Sequence, residues 1–227
     1  KAITGLIDTS QLGILSDIIT AYGSAAMEKD GFIASYIQGD IQYRNITKTY
    51  QNDEPPQDVA TRQKFAEVAD LFKKATKANN ISEYPQLLDD CQFMLGLSYY
   101  YSSQFAEASL AFERAAEGNN KEQAIWMAIV SLDRLEILSE QQKRQKKELS
   151  SIYLVNWPNS EHASQLTIHQ SSTAEASTQS IQELLAIPYS DPKYEDAQRQ
   201  AARSLYTVWS TVSDDERQSI GNSYISV

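Results

Sequence analysis

An all-α fold follows from three features of the sequence. Gly and Pro number only 8 and 6 in 227 residues, whereas an all-β chain of this length needs many more turn residues. No segment sustains a two-residue alternation of apolar and polar side chains. Instead, apolar residues recur at three- and four-residue spacing, in one stripe after another. About ten or eleven helices joined by short loops is the expectation.

The first helix is expected after Asp8-Thr9-Ser10 and carries Leu12, Leu15, Ile18, Ile19 and Tyr22 on one face. Lys29-Asp30-Gly31 breaks it. Residues 32–50 follow with Ile33, Tyr36, Ile37, Ile41, Tyr43 and Ile46; the period is helical, although Gly39 and the β-branched residues weaken it. Pro55-Pro56 is expected to start the next helix, because proline suits a first turn where its missing N–H is not needed. Phe65, Val68, Leu71, Phe72 and Ala75 form its apolar face. After Asn79-Asn80, Pro85 opens a helix reaching about Ser102. Its partner covers residues 103–117 and ends at Gly118-Asn119-Asn120.

Trp126, Ile129, Val130, Leu132 and Leu135 mark the following helix. Ser139-Glu-Gln-Gln142 resembles a capping box and starts another helix, reaching Tyr153. Pro158-Asn159-Ser160 breaks it and caps the next. Asp191-Pro192 begins a helix striped by Tyr194, Ala197, Ala201, Leu205 and Val208. Ser213-Asp-Asp-Glu216 is a second capping box, opening a last helix. Such short amphipathic helices do not stand alone, so stacking on neighbours must bury their stripes.

Composition removes several classes of function. The net charge is −10, which disfavours nucleic acid and anionic membrane surfaces as partners. No apolar run approaches the roughly 18 residues of a membrane span. Residue 1 is Lys and no signal peptide is visible, so the chain reads as a processed or trimmed piece. The single cysteine, Cys91, excludes an internal disulfide.

Residues 95–115 read LGLSYYYSSQFAEASLAFERA. Leu95, Gly96, Tyr99, Ala108, Phe112 and Ala115 stand at the spacing of a helix–turn–helix repeat. On these positions, residues 89–122 resemble a tetratricopeptide repeat, a helical hairpin of about 34 residues that stacks into superhelices. Gly96 and Ala108 would let two backbones approach, with Tyr99 and Phe112 filling the space around them. The sequence departs from the family at Gln92, where a bulky apolar residue is usual, and at Asn120, where proline is common. The following register keeps Trp126 and Ile129 but has Gln142 and Lys146 where Ala and an aromatic residue belong. Upstream, Val68, Phe72 and Ala75 look like the second helix of a preceding unit.

The resemblance implies a right-handed α–α superhelix of about five hairpins in one domain, 1–227. Its parts would be an atypical N-terminal hairpin (1–54), a repeat core (55–157) and degenerate C-terminal repeats (158–227). It also implies a concave groove lined by the first helix of each hairpin: Asp90, Phe93, Leu97, Tyr100 and Tyr101, then Ala124, Met127, Ser131, Arg134 and Leu135. These positions are mostly apolar or aromatic. The expected ligand is therefore an extended or helical peptide held by apolar contact, with Tyr100, Tyr101 and Arg134 leading the binding and Arg134 as the one cationic handle. The competing account places Tyr100 and Tyr101 in the packing between helices. Asn156-Trp-Pro-Asn-Ser160 is similar to linkers of bacterial envelope proteins with such repeats, which implies a cell-envelope or periplasmic address, with the cytoplasm as the alternative.

No set of residues reads as catalytic machinery, and no cofactor or metal site is expected. There is no phosphate-binding loop, dinucleotide fingerprint, nucleophile elbow or zinc-ligand pair. His162 and His169 lie two helical turns apart, about 10 Å of rise, too far for one metal ion. Cys91 beside Asp89 and Asp90 reads as a structural thiol. Asp89-Asp90 and Asp214-Asp215-Glu216 are acidic clusters expected in helix N-terminal turns, where the dipole stabilises negative charge. Lys143-Arg144-Gln145-Lys146-Lys147 reads as a solvated helix face rather than a docking patch. The glycosylation triplets Asn45-Ile-Thr47 and Asn80-Ile-Ser82 are near chance frequency. The expectation is a non-enzymatic scaffold for a protein or peptide. The rivals are a structural spacer, whose groove its own segments would fill, and an all-α enzyme domain.

Overall fold

A computed structural model describes residues 31–118, 120–173 and 176–212, together with Ile14, Asp17, Ile19 and Arg217. The expected helix before Lys29 and the box at Ser213 therefore lie almost wholly outside the described residues. Among the described residues every regular element is helical and there are no strands. The helices are α1 (Phe32–Thr47), α2 (Val59–Ala75), α3 (Pro85–Tyr101), α4 (Phe105–Ala115), α5 (Lys121–Asp133), α6 (Glu140–Asn156), α7 (Glu161–Thr173), α8 (Thr178–Leu185) and α9 (Tyr194–Thr211), with a 3-10 turn at Ile81–Glu83. The chain forms two compact units, Lys1–Leu149 and Ser150–Val227.

In the first unit α1 to α5 pack in chain order, each on the next, and α1 also touches α3. Large side chains fill the core: Phe32, Phe65, Phe72, Leu87, Phe112, Ile129 and Leu132 are all but fully buried. Two crossings explain how backbones come close enough to enclose these rings. A Cβ on Gly96 of α3 would lie 2.6 Å from Cδ1 of Phe112 on α4. A Cβ on Gly39 of α1 would lie 3.0 Å from the ring of Phe72 on α2. Only a residue without a side chain leaves room for a phenyl ring at such a spot. Gly39, which weakens α1 as an isolated helix, is thus what seats α1 on α2.

Helix termini follow from local chemistry. Gly31 stands at φ 120, a conformation that L side chains avoid. Beside it, Asn80 accepts a hydrogen bond from the Phe32 N–H at 2.9 Å and so satisfies one free donor of α1. α2 begins later than its prolines suggest. Asp58 is the cap, accepting from the Thr61 N–H at 2.7 Å, and Pro55 and Pro56 are buried in the connection before it. Pro85 opens α3 as expected. Ser139 and Gln142 exchange bonds at the start of α6, with Ser139 N–H donating to the Gln142 amide oxygen at 2.9 Å. α3 and α4 are joined by residues 102–104, where Ser103 takes φ 62 and the Gln104 N–H donates to the Tyr99 carbonyl at 2.8 Å.

The second unit packs α7, α8 and α9 mutually. Leu184, Ile187, Ala197 and Ala201 form one cluster of its core, with Ile168 against them, and Tyr153, Leu166, Ile181 and Leu205 are buried as well. α8 starts at a box that the sequence reading missed: Ser177 accepts from the Ser180 N–H, while the Ser180 hydroxyl receives the Ser177 N–H. Serine stands where Glu or Gln gives the usual signature. Asp191 ties the bend before α9, accepting from the Ser164 hydroxyl at 2.5 Å and from the Lys193 N–H at 2.7 Å.

Candidate functional site

Helix α3 carries two sets of expected positions, and the structure separates them. Leu95, Gly96 and Tyr99 are buried, as are Ala108, Phe112 and Ala115 on α4. These six form the interior of the hairpin. Cys91 lies one turn earlier, fully buried, with its thiol 3.8 Å from the Phe72 carbonyl. Burial, and secondarily the charge of Asp90, raises its pKa far above the usual thiol value. It is a packing residue of the hairpin interior.

The expected groove residues divide. Phe93, Leu97 and Tyr101 on α3 and Met127 on α5 are half-buried, as is Leu135 beyond α5. Tyr100, Ala124 and Ser131 are not open surface. Tyr100 is 3 % exposed and Ser131 0 %. Tyr100 packs edge-on against Tyr101 and Phe105, and the Ser131 hydroxyl bonds back to the Met127 carbonyl at 2.7 Å. Helical geometry accounts for this. Consecutive residues sit about 100° apart, so Tyr99, Tyr100 and Tyr101 cannot all look outward, and only Tyr101 keeps a partly open face. Asp90 lies in the second turn of α3, at the other end from the tyrosines. It is half-buried and receives a bond from the Asn120 amide at 3.4 Å. Desolvation, then the neighbouring Asp89, raises its pKa.

Arg134 is not a free cation. It caps the C-terminus of α5, and its Nη2 lies 2.6 and 2.5 Å from the two carboxylate oxygens of Glu54. The hydrogen bond it donates to Glu54 is the main reason its pKa rises. Glu54 belongs to residues 48–58, the connection from α1 to α2. That connection starts at the C-terminus of α1, passes the last residue of α3 and reaches the C-cap of α5. Tyr50 sits edge-on to Tyr101 and Phe65, with ring centroids 6.3 Å from each. Tyr101 stacks on Phe65 at 4.9 Å. The Tyr50 hydroxyl donates to the Glu54 carbonyl at 2.5 Å, and the Glu54 N–H donates to the Asn52 side chain at 3.1 Å. Burial holds the Tyr101 hydroxyl up at about 12. Sequence reasoning missed Tyr50 and Glu54. The available signal was the polar Gln51-Asn-Asp-Glu54 run interrupting the apolar period before two prolines.

Elsewhere the charged motifs resolve into surface chemistry. Lys143 pairs with Glu140 at 2.7 Å and Lys146 pairs with Asp133. Gln145 bonds Glu113 at 2.7 Å. The basic run is therefore tied into its own surroundings. No group of three or more His, Cys, Asp or Glu side chains among the described residues is placed to hold a metal ion. No described helix is long and apolar enough to cross a membrane. Comparison with known proteins gave no match, whether to a family model, to a curated sequence or to a solved structure.

Proposed function

We propose that the first unit is a tetratricopeptide-like stack of helical hairpins, continuing as a right-handed superhelix, and that it serves as a non-enzymatic scaffold for a peptide or protein. The observation that carries this reading is the set of partly open apolar residues, Phe93, Leu97 and Tyr101 on α3 and Met127 on α5. Phe93 and Tyr101 rest on core phenylalanines, Phe112 and Phe65, and yet keep a partly open face. The repeated glycine-on-phenylalanine crossing, Gly39 on Phe72 and Gly96 on Phe112, supports the repeat part of the reading. Binding would run through apolar contact along α3 and α5.

The test is a display selection of random peptides against the full chain. Peptides should be enriched, and the double variant Leu97→Glu, Met127→Glu should lose them while its circular dichroism stays helical. Selected peptides that bind the double variant equally well would remove the groove from the proposal.

A second reading, a structural spacer, has one observation in its favour. The chain's own residues 48–58 lie across the ends of α3 and α5 through Tyr50 and Glu54. A spacer would enrich no peptide in the same selection.

A further inference from the structure

Resting on the scaffold reading, we infer that the C-terminal ends of α3 and α5 form a receptor for a bent acidic peptide, and that residues 50–56 of this chain, which bend at Asp53-Glu54, occupy it as an internal stand-in. The connection between α3 and α4 is closed by residues 102–104, whereas α1 and α2 are joined by residues 48–58. The longer path is not needed to turn the chain. It runs sideways over the neighbouring helix ends and contributes no helix.

What it places there is a recognisable ligand. An aromatic ring, Tyr50, lies against Tyr101 and Phe65. Four residues on, the Glu54 carboxylate meets Arg134 with both oxygens. Two buried prolines follow, Pro55 and Pro56, and proline, with φ fixed, holds the segment beyond the bend at little entropic cost. The receptor is complementary in charge: Arg134 sits at the negative end of the α5 dipole, where a cation is stabilised, and guanidinium is suited to carboxylate. The occupant this selects is a peptide with an aromatic residue four positions before an acidic residue, followed by proline.

The contact is also weak enough to exchange. Arg134 and Glu54 are 40 % and 56 % exposed, and ion pairs so exposed change an equilibrium by a factor of about two to five. The segment competes because it is tethered at both ends, at an effective concentration of order millimolar. An untethered peptide at micromolar concentration would not displace it.

The experiment uses a fluorescent peptide of residues 48–57, Lys-Thr-Tyr-Gln-Asn-Asp-Glu-Pro-Pro-Gln, titrated against the full chain by anisotropy. The variant Tyr50→Ala, Glu54→Gln should bind it at least about tenfold more tightly than the unaltered chain. Adding Arg134→Ala, or replacing the peptide's Glu by Gln, should each weaken that binding about two- to fivefold. If the double variant loses its helical spectrum, Glu54→Gln alone, a change at an exposed loop residue, should still tighten peptide binding about two- to fivefold. A folded released variant that binds no better than the unaltered chain would overturn the inference, as would indifference to the peptide's Glu. Concentration-dependent dimers of the released variant in sedimentation, without peptide binding, would assign the surface to a second copy and overturn it too. Library peptides that still bind through Leu97 and Met127 would leave the scaffold reading standing. Loss of those peptides as well would end both.

Discussion

The two units solve the problem of packing helices with different materials. In the first, glycines at crossings admit whole phenyl rings, and Phe32, Phe65, Phe72 and Phe112 are each buried completely. In the second, helices meet over Ala197 and Ala201 with Leu184 and Ile187 beside them, and a side-chain carboxylate, Asp191, ties the bend. Burial stabilises by about 25 cal/mol per Å² of apolar surface. The rings at the glycine crossings therefore concentrate stability at a few positions, whereas the smaller side chains under α8 and α9 spread it thinly. The crossings of the first unit tolerate no added atoms; the α8–α9 cluster has less to lose at any one site, Tyr153 being the one ring buried completely among the described residues of the second unit.

The largest way to break this contrast is Phe112→Ala. It removes a fully buried ring from a crossing that cannot collapse, because Gly96 offers no atoms to fill the space. The expected loss is about 3–5 kcal/mol, read as a lowered midpoint in denaturant and faster amide exchange in α3 and α4. Leu184→Ala is the matching change in the second unit. Its small neighbours can close around the void, so a loss of about 2–3 kcal/mol is expected, seen as exchange in α8. A loss at Leu184 as large as at Phe112 would erase the contrast. Gly96→Ala sharpens it from the other side. A methyl group 2.6 Å from the Phe112 ring forces repacking at about 1–3 kcal/mol, and Gly96→Ala combined with Phe112→Leu should recover part of that in a double-mutant cycle.

The smallest effect concerns charge. Desolvation raises the Asp90 pKa in the folded state. The carboxyl is thus best tolerated protonated, and its contribution is complete below the unfolded pKa and lost as pH rises through the folded value. Asp90→Asn should raise the melting temperature slightly at pH 7, and the gain should vanish as pH falls through the carboxylate range. A pH-independent shift would mean that the Asn120 contact, not desolvation, decides.

Much of the fold was legible because helices announce their boundaries locally. Pro85 in a first turn and the Ser139–Gln142 exchange are signals between near neighbours. Position within a three-dimensional crossing is not. Gly39 weakens a helix by its own preference, and only the approach of Phe72, far along the chain, gives it a purpose. Pro55 and Pro56 were read as a helix start because the motif fits that role, but the Asp58 cap outcompetes it by supplying an acceptor that proline lacks. The candidate site was legible as a helix and not as a surface. The spacing found the correct α3, but it could not tell which of three adjacent tyrosines would be covered. It also could not foresee that Glu54, distant in sequence, would reach Arg134.

Ser103 carries a consequence for how the chain acquires its shape. With φ at 62, a serine accepts a left-handed bend that ordinary residues resist by about 1–2 kcal/mol. A turn made of such material does not bring two coils together by itself. The ring of Phe112 settling onto bare backbone must supply the drive, and the bend follows from that embrace. The shape of the pair is thus set at its middle and only accommodated at its tip.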